Sequence, residues 1–298
     1  MAIIQDGTVK NNWGRWGEDD QVGAVNLISA HKTIMAARLV SSGRIVSLSR
    51  GIPTEPGSGN PRPAQHFVRR SALSGSGGAA LDYLMIGWHG YTCTHLDGLC
   101  HVWGPEGMWN GRKPEEEITF EGAKWGGIEH WTQGIVTRGV LLDIPAHRKT
   151  PCVTVENPVT ACELRAVAED SGVEVSAGDA VVVYCGRGAW DATYGGGSHW
   201  EAEAKKPGLD ASCLEFFRER DCSMVVWDML DATVVDSFGK WGVHAGIYEL
   251  GLALLDNAEL EGLVLACQEE LRREFMLVVA PLRLIGGTGS PVNPLALF

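Results

Sequence analysis

Three short apolar runs, at residues 136–144, 180–184 and 224–227, constrain the fold of this chain more than any other feature. Each is rich in Val and Leu and lacks the strict alternation of a half-buried strand, so each reads as a strand covered on both faces. Helical spacing lies between them, over residues 163–171 and 212–220. Strands alternating with helices predict an α/β fold whose loops at strand ends build the site.

The flanking sequence extends this pattern. Ser29 is placed to cap a helix over residues 29–42, and residues 44–48 alternate as a strand would. A helix over 259–275 and a strand over 276–280 are expected near the end, before a Gly- and Pro-rich tail. Residues 51–80, 104–127 and 186–208 read as long loops, which in compact domains are often functional. Gly-rich segments recur along the chain instead of marking one linker, so residues 1–298 are taken as one domain with an N-terminal arm over residues 1–28.

With 37 acidic and 25 basic residues the net charge is -12, and no basic cluster interrupts it. That balance argues against nucleic acid as a partner. No apolar run reaches membrane-spanning length and the start lacks a secretory pattern, so a cytoplasmic protein that does not enter membranes is expected. The eight cysteines form no Cys-x-x-Cys pair, which argues against a zinc ribbon or a disulfide framework.

Residues 87–103 hold the densest chemistry: His89, Tyr91, Cys93, His95, Asp97, Cys100 and His101. In a strand over 91–97, alternation puts Tyr91, Cys93, His95 and Asp97 on one face. An imidazole and a carboxylate side by side are two preformed ligands for a divalent cation, and Gly98 lets His101 approach them. His244 and Asp256 are further candidates. In one continuous helix they would stand roughly 18 Å apart. A helix ending near Gly251, followed by a short strand over 252–255, would bring both to one site.

With these residues in view, the chain resembles the cyclase family of metal-dependent hydrolases, which includes bacterial kynurenine formamidase and isatin hydrolase. The family signature is His-x-Gly-Thr-His-x-Asp-x-Pro-x-His, followed much later by a histidine and, twelve residues on, a Glu or Gln. Thr94, His95, Asp97 and His101 match it, as do His244 and Asp256, with Asp replacing Glu. The Trp-Gly-x-x-Asp-x-x-Gly-x-x-Asn stretch from Trp16 to Asn26 extends the similarity. Tyr91, Cys93 and Leu99 depart from the signature at its first His, its Gly and its Pro.

The resemblance implies a cyclase-like swivelling β/α fold with a mixed sheet and long functional loops. It also implies a divalent cation, Mn²⁺ or Zn²⁺, held by His95, Asp97, His244 and Asp256. Tyr91 in place of the first signature histidine makes one cation per chain the more economical expectation. His89, Cys93 and His199 are alternatives for the missing ligand. His101 is the acid/base catalyst or, failing that, a histidine orienting Asp97. His244 could instead hydrogen-bond the substrate, and Asp256 could cap the following helix.

Trp16, Tyr91, His199 and Arg187 are candidate substrate contacts. Loop anchoring for the tryptophan, solvent exposure for His199 and an ordinary ion pair for Arg187 are the plainer readings. The implied activity is hydrolysis of a cyclic amide, imide, lactone or N-formyl aryl amine through a metal-bound hydroxide. A metal-dependent lyase and a non-catalytic metal-bound scaffold are the alternatives. The resemblance further implies a homodimer or homotetramer acting on a small molecule.

Overall fold

The computed structural model describes residues 4–5, 8–9, 11–57, 60–72, 75, 77–194, 206–236 and 239–298. One nine-stranded mixed sheet organises the molecule. Its centre is four parallel strands adjacent in chain order: β5 (Ile135–Asp143), β6 (Ala180–Tyr184), β7 (Met224–Trp227) and β8 (Ala253–Asp256). Val181, Val182, Val183, Val225 and Val226 are wholly buried, as the apolar runs predicted. Helices α2 (Ala161–Asp170), α4 (Cys213–Glu219) and α5 (Ala245–Leu250) lie between these strands.

Antiparallel strands complete both edges. On one side β4 (His95–Asp97) pairs with β8, and β10 (Gly289–Pro291) pairs with β4. On the other, β9 (Glu274–Val279) pairs with β5, followed by β11 (Leu295–Leu297) and β1 (Ile45–Ser47). The C-terminal residues thus supply one strand on each side of the sheet. Helix α1 (Ala30–Ala37) begins where Ser29 Oγ accepts from Lys32 N at 3.1 Å. Residues 11–28 run along the body, with Trp13 Nε1 donating to Tyr248 O and Trp131 Nε1 to Val22 O. Among the described residues no helix is long and apolar enough to cross a membrane.

Several expectations require correction. The strand expected over 91–97 covers only β4, because Gly90, at φ +118, and the turn after it lead the chain in from a different direction. Residues 51–80 are not one loop: β2 (Gln65–Ala72) and β3 (Gly78–Met85) form an antiparallel ribbon. Its alternation is legible afterwards in Phe67, Arg69, Leu81, Tyr83 and Met85. The helix expected over 259–275 is the shorter α6 (Glu261–Glu269), since Leu271 adopts φ +54 and β9 draws the following residues into the sheet.

The loop expected over 186–208 opens with a helix, α3 (Arg187–Tyr194), while residues 195–205 lie outside the described residues. Its cause is tertiary. The wholly buried Asp228 carboxylate accepts from Cys185 N at 2.8 Å and from Gly186 N and Arg187 N at 2.9 Å. Asp228 therefore satisfies the donors that a helix start leaves free, from a different strand.

Asp228→Ala leaves three buried N–H groups without an acceptor, each costing on the order of 1–3 kcal/mol. Chemical denaturation should show a loss of about 3 kcal/mol or more. A loss below about 1 kcal/mol would mean that α3 does not depend on this cap.

Candidate metal centre

His95 and Asp97 stand two residues apart on β4, so the pleat turns both toward one face while Leu96 enters the core behind. Asp256 ends β8 directly opposite His95 in the ladder. His244 starts α5, and Gly251, in the left-handed region at φ +70, ends that helix and returns the chain into β8. His244 Nε2 consequently lies 3.2 Å from Asp256 Oδ2. The predicted break at Gly251 is what makes this meeting possible.

Asp97 is the centre of the cluster. Its Oδ1 is 3.0 Å from His89 Nδ1, 3.4 Å from His95 Nε2 and 3.7 Å from His101 Nε2, and its Oδ2 is 3.6 Å from His244 Nε2. The carboxylate is wholly buried, yet neither oxygen is in hydrogen-bond geometry with any of them. A buried carboxylate without a donor is costly. A cation among these oxygens and nitrogens removes that cost, so the residues present fit a divalent metal. Two overlapping sets, His89–His95–Asp97 and Asp97–His244–Asp256, each bring three ligand atoms within 4.8 Å of one another.

The outer contacts fix which nitrogen faces the centre. His95 Nδ1 donates to Cys93 O at 2.8 Å, leaving Nε2 as the inward donor atom. His244 Nδ1 bonds Asp231 in the same way, and its ring packs against the indoles of Trp227 and Trp241. Trp227 Nε1 donates to Asp256 Oδ1 at 2.5 Å, orienting the second carboxylate. Burial alone would raise the Asp97 pKa, but the surrounding His101 and His95 hold it well below the usual range. Burial likewise opposes charge on His244, and Asp231 and Asp256 reverse this, raising it well above its ordinary value.

His101 differs from its neighbours. Burial lowers it to about 4 against the pull of Asp97, so its imidazole is neutral at physiological pH. It stacks on His89 at 3.8 Å and forms one wall of a cavity of about 410 Å³ that Trp103, Pro105 and Trp241 also line.

The remaining candidates fall in distinct places. Tyr91 is partly buried beside the cluster, its phenol pushed up to about 12 by burial and by the carboxylates of Asp231 and Asp256. Cys93 is buried with its thiol pushed up to about 11, and its carbonyl, not its sulfur, serves the site. Asp256 faces the centre and does not cap α6, whose N-terminus has no side-chain cap.

Arg187 pairs with Asp191 at 3.5 Å, but not as an exposed side chain. It is buried, and its guanidinium donates to Asn257 Oδ1 at 2.6 Å and to Tyr91 O at 2.5 Å. Asn257 Nδ2 in turn holds Gly90 O and Cys93 O, so both residues brace the segment that carries His89. Trp16 packs on Trp109 and under the Arg15 guanidinium, which bonds Asp221 just before β7. That is the end of the parallel strands opposite Asp256. His199 lies outside the described residues.

His89, two positions upstream of Tyr91, reaches the cluster, with Nδ1 3.0 Å from Asp97 Oδ1. Gly289 on β10 makes room for it: a Cβ there would meet His89 Cε1 at 2.7 Å. Asp231, Trp227 and Trp241 were not legible as site residues, since nothing local distinguishes them. The only sequence cue was a second aspartate three residues beyond Asp228.

Asp231→Ala should weaken metal binding about 10–100-fold while leaving the fold intact, because His244 loses the partner that aims its ring. Titration of metal-free protein, read alongside circular dichroism, measures both. Unchanged affinity would remove Asp231 from the site.

Comparison with known proteins places the fold and the family. A search of curated proteins finds no match. The structure of a novel cyclase superposes with a TM-score of 0.83 at 26% identity, covering 97% of this chain and 99% of that one. Isatin hydrolase A from Ralstonia solanacearum gives 0.56 at 19% identity, covering 90% and 97%. A predicted metal-dependent hydrolase from Bacillus stearothermophilus gives 0.51 at 13% identity, covering 86% and 98%. The model of the family described as "Putative cyclase" matches residues 32–234, more than half of the sequence, and the chain belongs to this cyclase family.

Proposed function

We infer that this chain is a metal-dependent hydrolase of an acyl C–N or C–O bond, its substrate a cyclic amide, imide, lactone or N-formyl aryl amine. The observation that carries this reading is the buried Asp97 carboxylate, without a hydrogen bond, among inward-facing imidazole nitrogens. Isatin hydrolases and a predicted metal-dependent hydrolase sharing the fold support it.

His89, His95, Asp97, His244 and Asp256 would hold the metal as two adjacent sets sharing Asp97. The expectation of a single cation rested on the absence of a histidine at position 91, and His89 removes that premise. When bound, Mn²⁺ or Zn²⁺ polarises a carbonyl and acidifies water. The neutral His101 accepts a proton from the attacking water and returns it to the leaving nitrogen or oxygen. The apolar cavity beside it, walled by Trp103 and Trp241, seats the ring of the substrate and limits access of bulk water.

His95→Ala should lose metal, whereas His101→Ala should keep it and lose turnover about 10²–10⁴-fold. A fully active His101 variant would end its assignment as proton carrier. Water labelled with heavy oxygen must deliver the label to the product acid, and an unlabelled product would favour a lyase. Elemental analysis at saturation should find two metal ions per chain in the wild type and one in His89→Ala. One in both would leave His89 outside the ligand set.

A further inference from the structure

Thr288, the residue before β10, touches the metal centre without belonging to either ligand set. Its Oγ1 lies 3.0 Å from His89 Nε2. The other ring nitrogen, Nδ1, is buried without a hydrogen bond and stands 3.0 Å from Asp97 Oδ1, an oxygen that lacks one as well. A neutral imidazole carries one proton. With that proton on Nε2, Nδ1 turns a lone pair toward the centre; with the proton on Nδ1, the ring has nothing to offer a cation there.

The backbone around Thr288 is held on several sides. Thr288 O accepts from Gly98 N at 2.9 Å, Gly287 O from Ile128 N at 2.8 Å and Gly286 O from Ala123 N at 2.8 Å. Gly286 N donates to the Glu129 carboxylate at 3.0 Å. From Gly289 onward the chain is paired with β4, and Gly289 stands opposite Asp97 itself. The hydroxyl is therefore presented from a fixed frame.

The ring it meets is fixed too. His89 stacks on His101 with the planes 4° from parallel, and it meets the edge of His95 at 5.2 Å between centroids. A Cβ at Gly289 would stand 2.7 Å from its Cε1, so the ring has no room to swing toward β10. What remains open is which nitrogen carries the proton, and the only printed partner of Nε2 is the Thr288 hydroxyl.

We propose that Thr288 is a positioning residue for His89, its hydroxyl accepting the Nε2 proton so that Nδ1 faces a cation at the His89–His95–Asp97 set. This assignment rests on the reading of the cluster as a metal centre. It also ranks the two sets. Behind His244 stands the Asp231 carboxylate, and behind His89 a neutral hydroxyl. A charged acceptor raises the basicity of an imidazole more than a neutral one does, so the ion beside His89 is the more weakly held.

Calorimetric titration of metal-free protein with Zn²⁺ should show two binding steps. Thr288→Val keeps the shape and removes the acceptor, and it should weaken the second step about 10–100-fold with the first unchanged. Thr288→Ser restores the hydroxyl and should restore the second step. Thr288→Ala should show the same selective loss and covers the case in which valine disturbs the fold. Nitrogen-15 spectra of the metal-free wild type should find His89 protonated on Nε2. Unchanged steps in the Val and Ala variants, or a loss that serine does not restore, overturn the proposal and leave the metal centre standing. A single step in the wild type overturns it as well, and no step at all removes the metal reading with it.

Discussion

A wholly buried carboxylate with no hydrogen-bond donor is the condition around which the structure is arranged. Asp97 sits on a short strand at the point where β8, β10 and the segment bearing His89 converge, and four imidazoles approach it. In an apolar interior such a group is tolerated only when opposite charge is close. The histidines supply part of that charge, and a divalent cation supplies it in a form that also does chemistry. The tight edge of the sheet, including the glycine at 289, follows from the need to crowd so many ligand atoms around one carboxylate.

The atoms behind the ligands matter as much as the ligands. Each inward imidazole nitrogen of His95 and His244 is left free because the other nitrogen is engaged, by Cys93 O and by Asp231. Arg187 and Asn257 tie Tyr91, Gly90 and Cys93 to the ends of the central strands. The same strand ends hold Asp228, which starts α3 and so positions the Arg187 backbone. One face of the molecule is thus a continuous set of polar contacts, all reached from the C-terminal ends of the parallel strands, where an α/β sheet places its sites.

Much of this was legible in the chain. The runs at 180–184 and 224–227 became β6 and β7 with the same limits, because strands buried on both faces leave a dense local signal. His95 and Asp97 were legible through the two-residue pleat, and His244 with Asp256 through the glycine that must break the helix between them. The ribbon over 65–85 was hidden by the Gly, Pro and Ser residues around it. α3 was hidden because its cap comes from Asp228, about forty residues away in sequence.

The sequence by itself determined the central strands and the residues that could form a ligand set, since periodicity and side-chain type are local properties. Only the tertiary structure decided that His89 reaches Asp97 and that Arg187 braces this segment from within. It alone also set Trp16 at the far end of the strands. The reason is physical: these outcomes depend on which backbone segments meet across the sheet edge, and hydrogen bonds such as Asn257 to Gly90 and Cys93 join residues more than 160 positions apart.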